Sequence, residues 1–282
     1  MIPKPFKTIG IGIAFSPNLK ANLYEASRLA LFFDCKLVII HVGKTSNEKT
    51  DTLKSILSAF EKDNLNYDVL FKPGDPVEVI LSASEEKKID LLIIGAAKRE
   101  KLFKYYIGSI ARKITRKANC SLLLLINPSI DRLPCQHIVV NGLEHPKTEQ
   151  TITTAFYIGL KLEAEKLTIV EEIKQNEIHV NVDDDKSLRK AQIVKERLRN
   201  RERSRINHII EDIPKDYTQN ITIKSQPIFG TQGYSIGHYA QIARADLLVM
   251  NAPTKMTFWD RLFPHDIEHI LTELPTDVLI IQ

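Results

Sequence analysis

The feature that most constrains the fold of this chain is an internal repeat. Residues 90–95 (DLLIIG) and 246–251 (DLLVMN) are two apolar strand patterns, each opened by an aspartate, and they lie 156 positions apart. The same offset carries residues 108–109 (GS) onto 264–265 (PH) and the apolar run 122–125 onto 278–281 without a gap. A repeat that keeps its register over this length indicates a duplicated structural unit.

The beginning of the second copy is less regular. Residues 9–13 (IGIGI) correspond to 137–140 (HIVV) at an offset of about 127, which predicts about 29 extra residues in the second copy, between Glu171 and Asp212. A length of 282 residues suits two domains. We therefore predict a first domain over 1–130 and a second over 131–282, with an insertion around 171–212.

Short apolar runs alternate with helical stretches in the first copy. This is βαβ order, which predicts for each copy an open, parallel, five-stranded sheet with helices on both faces, a Rossmann-like α/β fold. Ligands of such sheets bind outside the carboxyl ends of the strands. The predicted strands are 9–14, 36–42, 67–71, 90–94 and 121–126.

Composition narrows the function classes. The chain is 43% hydrophobic and 26% charged with a net charge of +4, and no apolar run is long enough to span a bilayer. Together with an amino terminus that lacks an apolar signal core, this predicts a cytoplasmic protein without a membrane partner. Three cysteines without a C-x-x-C pair predict free thiols.

No residue set points to metal or catalysis. His265 and His269 have the i, i+4 spacing of a zinc pair, but no third ligand stands out, so we predict no metal. No Ser, His and acid grouping indicates a triad, so no catalytic residue is predicted. His41, at the end of the second strand, is interpreted as a packing or hydrogen-bonding residue beside a pocket.

Two segments concentrate positive charge. Between residues 98 and 117 eight basic residues accompany one acid, which fits either a polyphosphate or nucleic-acid patch or a solvated helix face. The insertion predicts a long arginine-rich helix over 188–210, which could contact a partner or lie on the surface. Its lack of aromatic residues disfavours nucleic acid. The basic residues of the first segment are Lys98, Arg99, Lys101, Lys104, Arg112, Lys113, Arg116 and Lys117.

Several of these segments together resemble the universal stress protein family: 13–17 (IAFSP), 40–42 (IHV), 74–76 (GDP), and Gly95 followed by Gly108-Ser109. The resemblance implies an adenine nucleotide alpha hydrolase-like fold. It also implies that the fifth strands, 121–126 and 277–281, pair so that the two copies form a pseudo-dimer.

In nucleotide-binding members of the family, the loop after strand four reads Gly, two residues, Gly, nine residues, Gly and then Ser or Thr, and it wraps phosphates. Gly95, Gly108 and Ser109 match this loop, whereas Lys98 stands at the second glycine and Ala14 at the family's aspartate after strand one. In the second copy the loop positions read Asn251, Thr254, Pro264 and His265, and Asn141-Gly142 is aligned with the strand-one aspartate.

The resemblance implies a tandem stress-response protein that acts by binding, with ATP or another adenine nucleotide as a ligand of the first domain. A homo-oligomer or an unidentified protein partner is expected. Two alternatives stay open: an ATP-binding protein with weak ATPase activity, and a binder of anionic surfaces or nucleic acid through residues 98–117. The predicted ligand-binding residues are Ala14, Phe15, Ser16, Val42, Gly95, Lys98, Gly108 and Ser109.

Overall fold

The computed structural model describes most of the chain. For residues 97–98 and 105–106 it describes the backbone alone. Part of the loop after the fourth strand, and the aromatic and histidine-containing segment that includes Thr254, Pro264, His265 and His269, lie outside the described residues. The described ranges are 4–95, 97–98, 105–106, 108–126, 128–178, 180, 183–231, 234–252 and 274–282.

The chain divides into two compact units. The first comprises residues 1–134 together with 277–282, and the second comprises residues 135–276. The repeat assigns the last six residues to the second copy, whereas in the structure they pack within the first unit. The reason is their strand, β12 (Asp277–Ile281), which pairs antiparallel with β7 (Ser121–Leu125) at Val278↔Leu124.

The first unit is an α/β unit with the predicted strands. Its sheet has the order β12-β7-β4-β1-β2-β3, and every pair in it except β12 with β7 is parallel. The remaining strands are β1 (Thr8–Ile13), β2 (Lys36–Val42), β3 (Tyr67–Lys72) and β4 (Leu91–Gly95), with a two-residue hairpin of β5 (Ala97–Lys98) and β6 (Tyr105–Tyr106). The helices are α1 (Leu19–Phe33), α2 (Asn47–Leu57), a 3₁₀ helix (Ser58–Asp63), α3 (Pro76–Glu86) and α4 (Ser109–Lys117).

The second unit has the parallel strand order β10-β9-β8-β11. Its strands β9 and β10 have nine residues each, longer than β2 and β3 of the first unit. The strands are β8 (His137–Asn141), β9 (Lys166–Lys174), β10 (Thr222–Gly230) and β11 (Leu247–Asn251). The helices are α5 (Thr148–Leu162), a 3₁₀ turn (Gln175–Glu177), α6 (Asp185–Glu211), α7 (Lys215–Thr218) and α8 (Tyr234–Ile242).

The aspartates that open the repeated strand pattern have the same task in both units. Asp90 Oδ2 accepts hydrogen bonds from the backbone N–H groups of Lys7 and Thr8, at 2.8 and 2.9 Å. Asp246 Oδ2 accepts from the N–H groups of residues 136 and 137, both at 2.8 Å. Each carboxylate therefore holds the beginning of the first strand of its copy against the fourth, through charge-assisted bonds.

The strand register corrects the alignment of the two copies. Ile9 pairs with Leu37 in the first unit and Ile138 with Leu167 in the second, and both first helices end in a left-handed residue, Asp34 and Glu163. The offset at the start of the second copy is therefore 129 rather than about 127. By this register Ala14 corresponds to residue 143, and Asn141 does not occupy the position of the family's aspartate.

The core of each unit consists of Ile, Leu and Val from the strands and the inner faces of the helices. In the part of the chain that the structure describes, no helix combines the length and apolarity needed to cross a bilayer. The three cysteines are free thiols, with Cys35 buried and Cys120 and Cys135 half-buried. Burial raises the pKa of the Cys120 thiol to about 11, so this side chain is an inert packing residue at neutral pH.

Candidate functional site

The loop after β1 is the first part of the predicted site. Ala14, Phe15 and Ser16 are all exposed at the carboxyl edge of the sheet. The Ser16 N–H donates to the carbonyl of Ala14 at 2.9 Å, and the carbonyl of Ser16 accepts from Leu19 N–H at 3.0 Å, where α1 begins. The loop thus turns tightly into the helix and leaves its side chains free to meet a ligand.

A cluster around His41 lies beside this loop. The Phe15 and Phe71 rings contact the His41 imidazole edge to face, at centroid distances of 4.9 and 5.6 Å. His41 Nδ1 lies 3.3 Å from the carbonyl oxygen of Ile13, and Nε2 lies 3.2 Å from Lys49 Nζ. Because a carbonyl can only accept, Nδ1 carries the proton, and the unprotonated Nε2 accepts from the Lys49 ammonium.

Lys49 brings a positive charge to the edge that Ala14 leaves without a carboxylate. Its Nζ also donates to the carbonyl of Lys44 at 3.1 Å and lies 5.6 Å from the centroid of the Phe15 ring. Lys49 was not predicted from the sequence as a residue of this site. The signal for it was weak, because Lys49 lies on a helix whose exposed face carries other charges, and only the fold brings it against His41.

Val42, the last residue of β2, is half-buried, and the tight turn after it needs a glycine. Gly43 has a φ of +150°, which side chains rarely adopt, and a Cβ placed there would lie 3.0 Å from His41 Nε2. Gly43 N–H donates to the carbonyl of Lys72 at 2.9 Å. The backbone at Gly43 therefore lies close to His41 and bounds the site on the side of β2.

Gly95 ends β4 in an exposed position next to Asn22 of α1. A Cβ at residue 95 would lie 3.3 Å from Asn22 Oδ1, so glycine keeps this space open. Among the residues the structure describes, Asn22 Oδ1 is buried without a hydrogen-bond partner. A buried amide oxygen that lacks a donor is costly unless a ligand or water supplies one. Asn22 was also missed, although a polar residue beside the apolar stripe of Leu19 and Leu23 is a signal for it.

The helix α4, which comes after β4 in the chain, begins at Ser109. Gly108 is the N-cap in extended conformation, and among the described residues no side chain caps the helix and no heavy atom lies within 4 Å of the position of the Gly108 Cβ. The first turn contains no acidic residue. The amino end of α4 therefore presents unpaired N–H groups and a partial positive charge to open space, which is the geometry that binds anions.

Of the basic cluster over residues 98–117, the structure describes the side chains on α4. Lys113, Arg116 and Lys117 are exposed, whereas Ala111 and Ile114 are buried, which is the pattern of a solvated helix face. The backbone of Lys98 lies in β5, paired with Tyr105 in the short hairpin. Arg99, Lys101 and Lys104 lie outside the described residues, so the alternative of an extended anion patch stays a hypothesis.

The structure brings the predicted residues into two groups. Phe15 joins the cluster of His41 and Lys49, and Gly95 lies against Asn22. Within the described residues, no three His, Cys, Asp or Glu side chains are placed to hold a metal ion. What the edge offers is a cation, aromatic faces, a free amide oxygen and helix N–H groups, which suit the binding of a polar anionic ligand.

Comparison with known proteins identifies this unit. Residues 5–125 match the model of the Universal stress protein family. Universal stress proteins of Methanothermobacter thermautotrophicus and Methanocaldococcus jannaschii are 23% identical over 90 residues and 26% identical over 81 residues. These matches cover 32% and 29% of this chain, and the chain spans 61% and 48% of the lengths of these relatives.

The first unit is a universal stress protein domain. The match to the family model covers residues 5–125, which is less than half of the 282 residues of the chain.

Solved structures extend the likeness of fold to the whole chain. A functionally unknown protein from Pseudomonas aeruginosa PAO1 has a TM-score of 0.74 at 15% identity and covers 98% of this chain and 92% of its own. A universal stress protein from Archaeoglobus fulgidus has a TM-score of 0.69 at 16% identity, with 98% of both chains covered. At these identities the likeness concerns the α/β fold alone.

The second copy of the fold differs from the universal stress protein domain at its carboxyl edge, because the insertion helix covers it. Ile206 of α6 is fully buried, and a Cβ at Gly142 would lie 3.2 Å from its Cδ1 and 2.7 Å from Ile169 Cγ2. The Arg205 guanidinium donates to the carbonyl of Gly142 and, at 2.9 Å, to Glu202. The space beyond β8 is therefore filled by the protein's own side chains.

A buried acid lies under this helix. Glu171 is 1% exposed, one of its carboxyl oxygens accepts from Ser225 Oγ at 2.9 Å, and the other has no partner within the described structure. Burial raises the pKa of Glu171 to about 7, and the positive charge of Arg205 opposes this shift. The role of this acid was not predicted, since Glu171 lies in an ordinary strand pattern.

The remaining residues of the second edge bond to one another. Asn141 is buried, and its Oδ1 accepts from the N–H of Leu143 at 2.9 Å. Asn251, which corresponds to Gly95, donates through Nδ2 to Thr148 Oγ1 at 3.3 Å. Asn141 thus stabilises the turn after β8, whereas Asn251 Oδ1 is buried without a hydrogen-bond partner among the described residues.

Proposed function

We propose that this universal stress protein binds an adenine nucleotide or a related phosphate-bearing ligand in its first domain, and that occupancy changes its binding to a protein partner in the stress response. The observation that carries the proposal is the amino end of α4 at Gly108, which has no acidic residue in its first turn and, within the described part of the chain, neither a side-chain cap nor a heavy atom within 4 Å of the Gly108 Cβ position. Helix N–H groups in such a position bind phosphate.

The neighbouring groups support a nucleotide rather than phosphate alone. Asn22 Oδ1 lacks a donor, which the amino group of a base or a ribose hydroxyl could supply. Phe15 is 37% exposed and offers an apolar ring at the same edge. Since Ala14 contributes no carboxylate, we propose that ribose recognition is weaker here than in members with the aspartate, and that phosphate contacts dominate the affinity.

The second copy is proposed to be a non-binding partner of the first. Its edge is covered by Ile206 and Arg205, and Asn251 replaces the glycine that ends β4. A nucleotide there would have to displace a fully buried isoleucine. We therefore expect one nucleotide per chain.

The experiment is a thermal-shift titration with ATP, ADP and AMP, with and without Mg²⁺, because a ligand that binds only the native state raises the Tm. We expect a saturable rise that is reduced in Gly95→Val, Asn22→Ala and Ser109→Ala. The matched control is Ser58→Ala, at an exposed serine whose hydroxyl donates only to the Ser55 carbonyl.

Isothermal titration of the same samples counts the sites. No shift at millimolar nucleotide, or an equal response in Asn22→Ala, Ser109→Ala and Ser58→Ala, would overturn the proposal. A stoichiometry of two would contradict the covered second edge.

A further inference from the structure

The amino-terminal half of α6 forms a surface that the nucleotide site does not use. Here one face of α6 borders an open depression of about 610 Å³, which we call the α6 groove. The carboxyl-terminal half of the helix is anchored by Ile206 and Glu202, whereas most side chains from 185 to 200 are exposed. The residues that line the groove are Arg189, Gln192, Ile193, Lys195, Glu196 and Arg199.

This helix carries the positive charge of the whole protein. Its sequence, DKSLRKAQIVKERLRNRERSRINHIIE, contains nine Lys or Arg and four Asp or Glu, a net charge of +5. The complete chain has a net charge of +4, so everything outside α6 is close to neutral. Positive potential of this kind steers and orients a negatively charged partner.

Two large apolar side chains on the same half of the helix are exposed to solvent. Ile193, inside the α6 groove, is 55% exposed, and Leu188, one and a half turns earlier, is 44% exposed. The helix does not depend on these residues to form at its start, because Asp184 and Ser187 make a reciprocal capping box. Ile193 thus offers an exposed apolar side chain among the cations of the groove.

The cations of the groove are held in place before any partner binds. Lys195 Nζ and the Arg199 guanidinium lie 5.9 and 5.3 Å from the centroid of the Phe229 ring on β10. Arg189, six residues before Lys195 on the same helix, forms no ion pair within the described part of the chain. Ordering of long side chains by cation–π contacts reduces the entropy that a partner must offset.

The pattern selects one class of partner over two others. For nucleic acid the groove lacks a free stacking face, since Lys195 and Arg199 cover Phe229, and Glu196 would face the phosphates. For a membrane, Leu188 and Ile193 bury too little apolar area to insert a helix that is otherwise charged. An acidic helix with an apolar stripe satisfies both the charges and Ile193.

We propose that the α6 groove is a docking surface for an acidic amphipathic segment of a partner protein. An apolar side chain of that segment packs on Ile193, and its carboxylates pair with Arg189, Lys195 and Arg199. None of the residues that line the α6 groove belongs to the proposed nucleotide site. The result of the test below can therefore be distinguished from the result of the nucleotide titration.

The test is fluorescence anisotropy with the full-length protein and a labelled synthetic peptide of about four helical turns, composed of Glu, Ala and Leu with the leucines on one helical face. The comparison peptide has the same composition in scrambled order. Arg189→Glu and Ile193→Ser are the groove variants. Arg203→Glu, an exposed arginine further along the same helix, is the control matched in charge. Circular dichroism and Tm verify that all variants fold.

We expect the amphipathic peptide to bind more tightly than the scrambled one. Arg189→Glu and Ile193→Ser should each weaken binding about tenfold, and Arg203→Glu by about twofold or less. Equal losses in Arg189→Glu and Arg203→Glu, or equal binding of both peptides, would reduce the surface to general charge attraction and overturn the proposal. Tighter binding of duplex DNA or of phosphatidylserine vesicles, lost in Arg189→Glu, would assign the surface to those ligands instead.

Discussion

Glu171 in the second copy occupies the position of His41 in the first. His41 lies opposite Phe71 of the third strand and Glu171 lies opposite Pro227. From the second strand on the offset is 130 rather than 129, because the second copy has one more residue between its first helix and its second strand. Each is buried beneath a basic side chain supplied from outside the sheet, Lys49 for His41 and Arg205 for Glu171. The duplicated fold thus keeps a buried titratable group at the carboxyl edge while it changes the chemistry of that group.

The first prediction concerns the pH dependence of stability. The pKa of Glu171 is raised from 4.5 to about 7 in the folded state, so the folded protein favours the protonated carboxyl group. The stabilisation from this protonation is complete below pH 4.5 and is lost as the pH rises through 7. As the pH is raised from 5 to 8, the free energy of unfolding of wild type should therefore fall by roughly 2–3 kcal/mol relative to that of Glu171→Gln. Urea unfolding at both pH values measures this difference.

The control for this measurement is Glu211→Gln, an exposed acid at the end of α6. It should show no comparable change between the two pH values. A stability difference for Glu171→Gln that does not depend on pH would contradict the ionisation argument.

The second prediction concerns Ile206 of α6, which covers the carboxyl edge of the second copy. Ile206→Ala should lower the free energy of unfolding by about 3 kcal/mol, because it removes a fully buried side chain that packs on Gly142 and leaves a cavity. Ile242→Ala, at a residue that is 69% exposed, should change it by less than about 0.5 kcal/mol. Chemical denaturation measures the free energy of unfolding of both variants. Equal effects would mean that Ile206 is not buried against Gly142.

The third prediction concerns the turn after β2. Gly43→Ala should destabilise the protein by about 1–3 kcal/mol, since alanine at a φ of +150° is strained and its Cβ approaches His41 Nε2. Gly108→Ala, at a φ of −61° with no heavy atom within 4 Å of the position of its Cβ, should leave stability almost unchanged. Thermal unfolding of both variants is the measurement, and a harmless Gly43→Ala would refute the strain argument.

The fourth prediction concerns the protonation of His41. Its neutral ring should carry the proton on Nδ1, donated to the Ile13 carbonyl, with Nε2 accepting from Lys49. Long-range ¹H–¹⁵N NMR correlation distinguishes the two tautomers. The Nε2-protonated form would show that the Lys49 ammonium does not donate to this ring, and Lys49→Met should then leave the ring signals unchanged.

Much of the first domain followed from the sequence. The strands, the helix that begins at Pro76 and the placement of Gly95, Gly108 and Ser109 were predicted because buried parallel strands and helix starts have local signals in Ile, Val, Pro and Gly. Lys49 and Asn22 were missed. Their role arises from contacts between elements that are distant in the sequence, and no local pattern records such contacts.

The sequence by itself determined the duplication, the α/β class and a long basic helix in the insertion, since periodicity and repetition are properties of the chain. Only the tertiary structure decided that the offset is 129, that α6 covers the second edge through Ile206 and Arg205, and that Asp277–Ile281 packs within the first unit. The physical reason is that an amphipathic helix or an apolar strand fixes which face is buried, whereas the partner of that face is chosen by the packing of the whole fold.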